Sequence, residues 1–280
     1  MRVLVTGATG TVGGAVLHRL LADGHEAVAG VRRLGAAGVP NAAAAAHFDF
    51  EDAATHRPAL RGAQALFLMR PPQIADASVV NAVVAAAEAE GVGRIAFLSV
   101  LGAGRNPLLP HRKTEKRLEA SGADVALLRA AYFMQNLTEV HADEIRDGRL
   151  EVPAGGGETS FVDARDVAEV AAVWLASDAR GEAALDLTGP EALDMFEVAD
   201  VLSDVLGRRV VYRRPGLAQF VRARRREGDP WPFALVMGGI YTATRLGLAG
   251  RVTPTVERVL GRPARSLREF AEDHREAWTA

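Results

Sequence analysis

Two groups of residues in this 280-residue chain have the types and spacing that chemistry needs. The first is Gly7, Gly10 and Gly13, a G-x-x-G-x-x-G run between a short apolar stretch and a helical pattern. Gly7 permits a sharp turn, Gly10 lets the backbone approach a pyrophosphate, and Gly13 lets a helix pack closely on a strand. A helix starting there offers N–H donors and a partial positive charge to phosphates. A tight strand–helix turn without a ligand could use the same glycines, but their place in a repeated strand–helix pattern favours a nucleotide. The second group is His111 and Glu115. An imidazole with an ordinary pKa near 6.5 suits proton transfer at neutral pH. Glu115 follows one helical turn later, within reach to orient or charge the ring. The competing reading is a solvated pair at a helix start.

The end of the second strand bears on which nucleotide would bind. An acidic residue there would accept hydrogen bonds from a ribose 2′-hydroxyl, but the strand ends Gly30-Val31-Arg32-Arg33. A guanidinium at Arg32 suits a 2′-phosphate, a charge-assisted bond of roughly 1.5–3 kcal/mol. The expected cofactor is therefore NADP(H) by preference, with NAD(H) second. Asp49 and Phe50, after the third strand, could edge an adenine ring, or Asp49 could cap the next helix. Arg70 is an odd residue for a strand end, either a ligand contact or a surface charge. A lysine four residues after a tyrosine would lower that tyrosine's pKa for proton transfer. None of Tyr132, Tyr212 and Tyr241 has one.

These residues need elements to position them. Strands are expected at Val3–Thr6, Glu26–Val31, Ala46–Phe48, Ala63–Met69, Arg94–Ser99 and Val125–Arg129. Helices at Thr11–Ala22, Ala75–Glu90 and His111–Ala120 come between them. Strands alternating with helices predict an α/β fold, a Rossmann-type doubly wound parallel sheet, over residues 1–131. Residues 132–280 are expected to form mostly a smaller, mainly helical C-terminal substrate lobe, with some segments returning to the Rossmann core. The pattern there predicts a helix over Tyr132–Arg146, a flexible break at Gly155–Gly157, and a helix over Asp163–Ala176 with Asp163 as N-cap. A strand at Ala184–Leu187, a helix at Met195–Leu206 and a strand at Arg209–Tyr212 follow. The two parts are expected to meet at a cleft.

Composition narrows the function classes. Net charge is −2 and there are no cysteines, which excludes disulfides, thiolate metal sites and cysteine nucleophiles. The histidines show no metal-ligand spacing, so no metal is expected. No apolar run reaches the roughly 20 residues of a membrane span, so a cytoplasmic protein is expected, contacting neither nucleic acid nor membrane. The basic cluster Arg222-Ala223-Arg224-Arg225-Arg226 reads as a solvated helix face. The apolar segment from Trp231 to Ile240 reads as packing of the C-terminal lobe, or as a lid over an apolar substrate.

Beyond the glycines, several segments resemble the NmrA-like group of atypical short-chain dehydrogenase/reductases. They are Val5–Gly13, Leu66–Pro72, Phe97–Ser99, His111 with Glu115, Leu128-Arg129, Tyr132–Asn136, Phe161–Ala168, Leu187–Pro190 and Gly261–Pro263. The resemblance implies a cofactor lying across the strand ends. Gly7, Thr9, Gly10, Thr11, Val12, Arg32, Asp49 and Phe50 would hold its adenosine and pyrophosphate half. Leu68, Met69, Arg70 and Ser99 would line the nicotinamide half, with Tyr132 and Phe133 closing over it. It also implies an NAD(P)H-dependent reductase of a quinone or related aromatic carbonyl compound, or a natural-product tailoring enzyme. His111 would be the catalytic proton donor or a substrate ligand. A quinone needs less acid catalysis than a ketone, because aromatisation drives hydride acceptance and water can supply the proton. The alternative is a non-catalytic NAD(P)-binding redox-sensing regulator acting through a protein partner. A homodimer is compatible with either.

Overall fold

The computed structural model describes residues 1–107, 109–177 and 183–279. The chain begins β1 (Arg2–Val5), α1 (Thr11–Ala22), β2 (Glu26–Val31), β3 (Ala44–His47), α2 (Ala53–Leu60), β4 (Ala65–Met69), α3 (Ala77–Ala89). It continues β5 (Arg94–Val100), α4 (Pro110–Glu119), β6 (Asp124–Ala130), β7 (Tyr132–Phe133), α5 (Ala142–Arg146), β8 (Arg149–Glu151), β9 (Thr159–Val162), α6 (Ala164–Ala176), β10 (Ala184–Leu187). The remainder is β11 (Ala192–Leu193), α7 (Met195–Leu206), β12 (Val211–Arg213), α8 (Leu217–Arg226), α9 (Trp231–Arg245), α10 (Thr255–Leu260) and α11 (Leu267–Asp273).

These elements gather into two compact units. The first is Met1–Ala130, Ala164–Leu187 and Thr255–Arg262, and the second is Ala131–Asp163, Thr188–Pro254 and Pro263–Ala280. The first unit holds a seven-stranded parallel sheet in the order β10-β6-β5-β4-β1-β2-β3. Val3, Leu4 and Val5, Leu66, Phe67 and Leu68, and Ile95, Ala96 and Phe97 have no accessible surface, because helices cover both faces. Asp52 and Asp76 cap α2 and α3 by accepting the N–H of Ala54 and Ser78. α6, from the middle of the chain, packs on α1, β4, β5 and β6, with Val167, Val170, Ala171 and Trp174 buried. From β1 the chain builds out to β3 on one side, then from β4 to β6 on the other. Strand order thus reverses between β1 and β4, where the loops at the strand carboxyl ends part.

Among the described residues the second unit contains the small sheets β11-β9-β7 and β12-β8 and five helices, α5, α7, α8, α9 and α11. Here the structure corrects four sequence expectations. Tyr132–Arg146 is not one helix: Tyr132 and Phe133 pair in parallel with Phe161 and Val162, a short 3₁₀ turn follows, and only Ala142–Arg146 is α-helical. Strand pairing captured backbone groups that a helix would have used. Gly155–Gly157 is a close-fitted turn, since a Cβ on Gly157 would lie 2.0 Å from the Thr244 carbonyl oxygen. The arginine cluster is not uniformly solvated: Arg224 is largely buried against Asp229 at 2.6 Å and Glu227 at 3.0 Å, and Arg225 lies over the Trp231 ring. In α9 only Ala234, Met237, Gly238, Tyr241 and Thr244 are buried, whereas Trp231, Leu235, Val236 and Ile240 are exposed. That segment is a half-covered helix, because its apolar residues encircle the axis and its neighbours cover one side.

Candidate active site

The glycine loop does what its spacing requires. Gly7 adopts a left-handed φ of 63°, and a Cβ there would lie 2.9 Å from Met69 Cγ. A Cβ on Gly13 would lie 2.2 Å from the Gly7 carbonyl oxygen, so the α1–β1 approach admits only glycine. Gly10 is the N-cap of α1 and offers no side-chain cap. Thr9, Gly10 and Thr11 are exposed and Val12 is half-buried, so the start of this twelve-residue helix faces open space with a donor-rich backbone. A nucleotide diphosphate fits this cradle. Thr6, which the sequence reading passed over, clips the loop in place. Its buried hydroxyl donates to the Phe67 carbonyl at 3.0 Å and accepts from the Met69 N–H at 3.0 Å.

Arg32 is exposed at the end of β2 and has no ion pair or hydrogen bond among the described residues. The Asp49 backbone is held by Thr55 and His56, with its N–H on Thr55 Oγ1 at 3.0 Å and its carbonyl accepting from His56 Nε2 at 2.9 Å. The N-cap of the next helix is Asp52, which removes the capping role considered for Asp49. Phe50 is half-buried and packs edge-on against the buried Phe48 at 4.9 Å. These residues line the β2–β3 side of the strand reversal.

On the β4–β5 side the groups are more constrained than the sequence suggests. The Leu68 side chain lies in the core with Leu66, Val80 and Val83, so only its backbone is available to a ligand. Ser99 is buried and its hydroxyl donates to Glu115 Oε1 at 2.7 Å. Glu115 also receives Arg129 in a bidentate pair at 2.9 and 2.8 Å, and Arg112 at 3.1 Å. Gly104 leaves room for this, since a Cβ there would lie 2.8 Å from Arg129 Nη1. Burial pushes the Glu115 carboxyl up, but Arg129, Ser99 and Arg112 outweigh it and hold it below the usual range. Glu115 is therefore neither a surface residue nor a hydrogen-bond partner of His111. Arg129 is the functional-looking residue that sequence reasoning left without a role; its only signal was a charge inside an otherwise apolar strand.

His111 is met by Arg70 instead, whose Nε–H donates to His111 Nε2 at 3.4 Å. Arg70 Nη1 also donates to the carbonyls of Ile74 and, at 3.4 Å, Pro71. Burial, then the Arg70 charge, push the His111 imidazole down to about 4, with Glu115 opposing. This corrects the premise of a ring poised near neutrality, for at pH 7 His111 is uncharged. Arg70 is likewise no free surface charge, and burial lowers its own pKa. Lys113 is exposed.

Tyr132 and Phe133 belong to the second unit. The Tyr132 hydroxyl points into that unit, 2.8 Å from the Tyr241 hydroxyl and 3.3 Å from His141 Nε2, and burial pushes it up to about 12. Phe133 is half-buried. An open polar groove in the same unit, lined by Glu144, Arg149, Arg224 and Asp229 among others, contains none of the candidate residues. Among the described residues no cluster has metal-ligating composition, and no helix is long and apolar enough to cross a membrane.

Comparison with known proteins places the architecture. The chain is 33% identical to an NAD(P)H azoreductase of Xenophilus azovorans, covering 99% of each chain. It is 32% identical, again over 99% of each, to a (4-alkanoyl-5-oxo-2,5-dihydrofuran-3-yl)methyl phosphate reductase of Streptomyces griseus. The NADPH complex of the Escherichia coli NADPH-dependent quinone oxidoreductase QOR2 superposes with a TM-score of 0.85 at 26% identity, over 98% of this chain and 99% of that one. The NmrA-like family model matches residues 1–227. With a parallel α/β sheet, a glycine cradle at the head of α1 and this match over most of its length, the chain belongs to the NmrA-like family.

Proposed function

We propose that the protein binds NADP(H) along the carboxyl ends of β1–β5 and reduces a quinone or related aromatic acceptor. Gly7, Thr9, Gly10, Thr11 and Val12 would hold the diphosphate, Arg32 the 2′-phosphate, and Asp49 and Phe50 the adenosine. Met69, Arg70 and the Leu68 backbone would border the nicotinamide. The bound reduced cofactor supplies a hydride. Ser99 donates its hydroxyl hydrogen bond to Glu115, so its part would be to anchor the end of β5 rather than to donate to a ligand.

His111 is no proton source at neutral pH, because its imidazole is uncharged there. As a neutral ring accepting at Nε2 it acts as a hydrogen-bond donor through Nδ1, which suits a substrate ligand. A quinone tolerates this, since solvent can deliver the proton after hydride addition. The observation that carries the reading is the full-length similarity to an NAD(P)H azoreductase and to a quinone reductase with NADPH bound, joined to an intact glycine cradle.

Incubating the purified protein with NADPH and a panel of quinones and azo compounds, and following absorbance of the reduced nicotinamide, tests it. Turnover of at least one acceptor is expected. Tight NADPH binding with no turnover on any acceptor would replace the enzyme by a redox-sensing regulator.

A further inference from the structure

Arg70 stands out electrostatically among the groups at the strand ends. Every hydrogen bond it makes among the described residues goes to a neutral acceptor: two main-chain carbonyls and His111 Nε2. No carboxylate pairs with it among those residues, whereas Arg129 and Arg112 nearby share Glu115. A half-buried guanidinium without a counterion is costly to maintain in a fold and is commonly kept for an anion that arrives later. Its hydrogen bond to Nε2 fixes the His111 tautomer, leaving the Nδ1–H as the ring's donor. Glu115, the acidic group that also acts on this imidazole, is saturated by Ser99, Arg129 and Arg112.

Position argues against a cofactor phosphate as the missing anion. The glycine cradle and Arg32 lie at the ends of β1 and β2, whereas Arg70 ends β4 and His111 starts α4, which packs on β5. A diphosphate and a 2′-phosphate are thus provided for by groups other than Arg70.

We propose that Arg70, held in place by His111, is an oxyanion-stabilising group for the substrate of the reductase inferred above, on which this assignment rests. Two-electron reduction of a quinone by a reduced nicotinamide adds hydride and yields the hydroquinone monoanion, with the nicotinamide oxidised. One proton from solvent then completes the hydroquinone. The negative charge that develops on the acceptor oxygen is met by the Arg70 guanidinium, which His111 Nε2 and two main-chain carbonyls already hold in place. Arg70 contacts the reacting oxygen and is catalytic in that sense, whereas His111 is a positioning residue that accepts from Arg70, and neither gives up a proton. The substrate class is an acceptor whose reduced form is a phenolate or comparable oxyanion.

Ionisation of 4-nitrophenol bound to NADP⁺-saturated protein reads the pair without turnover. Wild type is expected to shift the bound phenol toward phenolate by at least tenfold relative to water. With each variant saturated with NADP⁺, Arg70→Met should abolish the shift and Arg70→Lys should keep most of it. In ¹⁵N spectra of the wild type, His111 should carry its proton on Nδ1. If Arg70→Met weakens NADPH binding tenfold and keeps the wild-type phenol shift, Arg70 is a cofactor ligand and the pair is refuted. A wild type that binds no phenolate, or binds it without a shift, refutes the pair equally. A wild type that shifts the phenol yet reduces no acceptor supports the pair and removes only the reductase reading.

Discussion

Two residues illustrate how a side chain's neighbours decide its chemistry. Arg32 is exposed at a strand end, and its charge is free to meet a 2′-phosphate. Arg32→Ala should therefore weaken NADPH binding by roughly ten- to a hundredfold, the equivalent of about 1.5–3 kcal/mol, and NADH binding much less. Titration of nicotinamide fluorescence with each cofactor checks this, and equal losses would mean that Arg32 does not face the 2′ position. His111 shows the opposite case. Its folded pKa of about 4 lies below the value near 6.5 expected in the unfolded chain, so the unfolded state binds the proton more tightly. Stability is unaffected above pH 6.5 and falls as pH drops from there toward 4, by up to about 3 kcal/mol from this residue alone. His111→Asn should flatten that part of the profile. Urea unfolding at pH 7 and pH 4.5 measures it, and a profile identical to wild type would place the titration elsewhere.

At the scale of elements, the buried Glu115 ties α4 to β5 through Ser99 and to β6 through Arg129. Removing one partner from a buried ion pair leaves the other uncompensated, so Glu115→Ala should cost about 3–5 kcal/mol. Removing both charges, as in Glu115→Leu with Arg129→Met, should recover most of that loss. Denaturant midpoints of the two variants test the idea, and a double variant no better than the single one would count against it. Gly13 makes a comparable junction between α1 and the β1 loop. Gly13→Ala would drive a methyl into the Gly7 carbonyl, which is backbone and cannot rotate away. A loss at or beyond the upper end of the usual 1–3 kcal/mol for overpacking is expected, together with weakened nucleotide binding. Both glycines were legible from spacing alone, because a strand–turn–helix junction leaves no room for alternatives.

At the scale of the molecule, the first unit is discontinuous in sequence. α6, β10 and α10 return to it after the chain has built much of the second unit. α6 covers α1 and three strands, so a chain ending at residue 163 would expose the apolar sides of β4, β5 and β6. Such a truncation should lose cooperative unfolding, whereas the full chain should keep it. Circular dichroism during urea titration distinguishes the two, and a cooperative transition in the truncated chain would mean that the first unit folds without α6.

The parallel α/β sheet, the glycine cradle at the head of α1 and the exposed arginine at the end of β2 were all legible in the chain of residues. Each follows from local rules: strand–helix alternation, the space available at a turn, and a charge placed just beyond an apolar strand. Long-range packing was needed to make Tyr132–Phe133 a strand, since its pairing partner Phe161–Val162 is remote in sequence. Packing also committed Glu115 to Ser99 and Arg129 rather than to His111, and buried the imidazole beside Arg70; burial and that charge together hold it neutral. Helical spacing put Glu115 within reach of His111, but hydrogen bonds and desolvation depend on what neighbouring strands bring to the same place. Spacing says which groups can meet, and packing says which of them do and in what charge state.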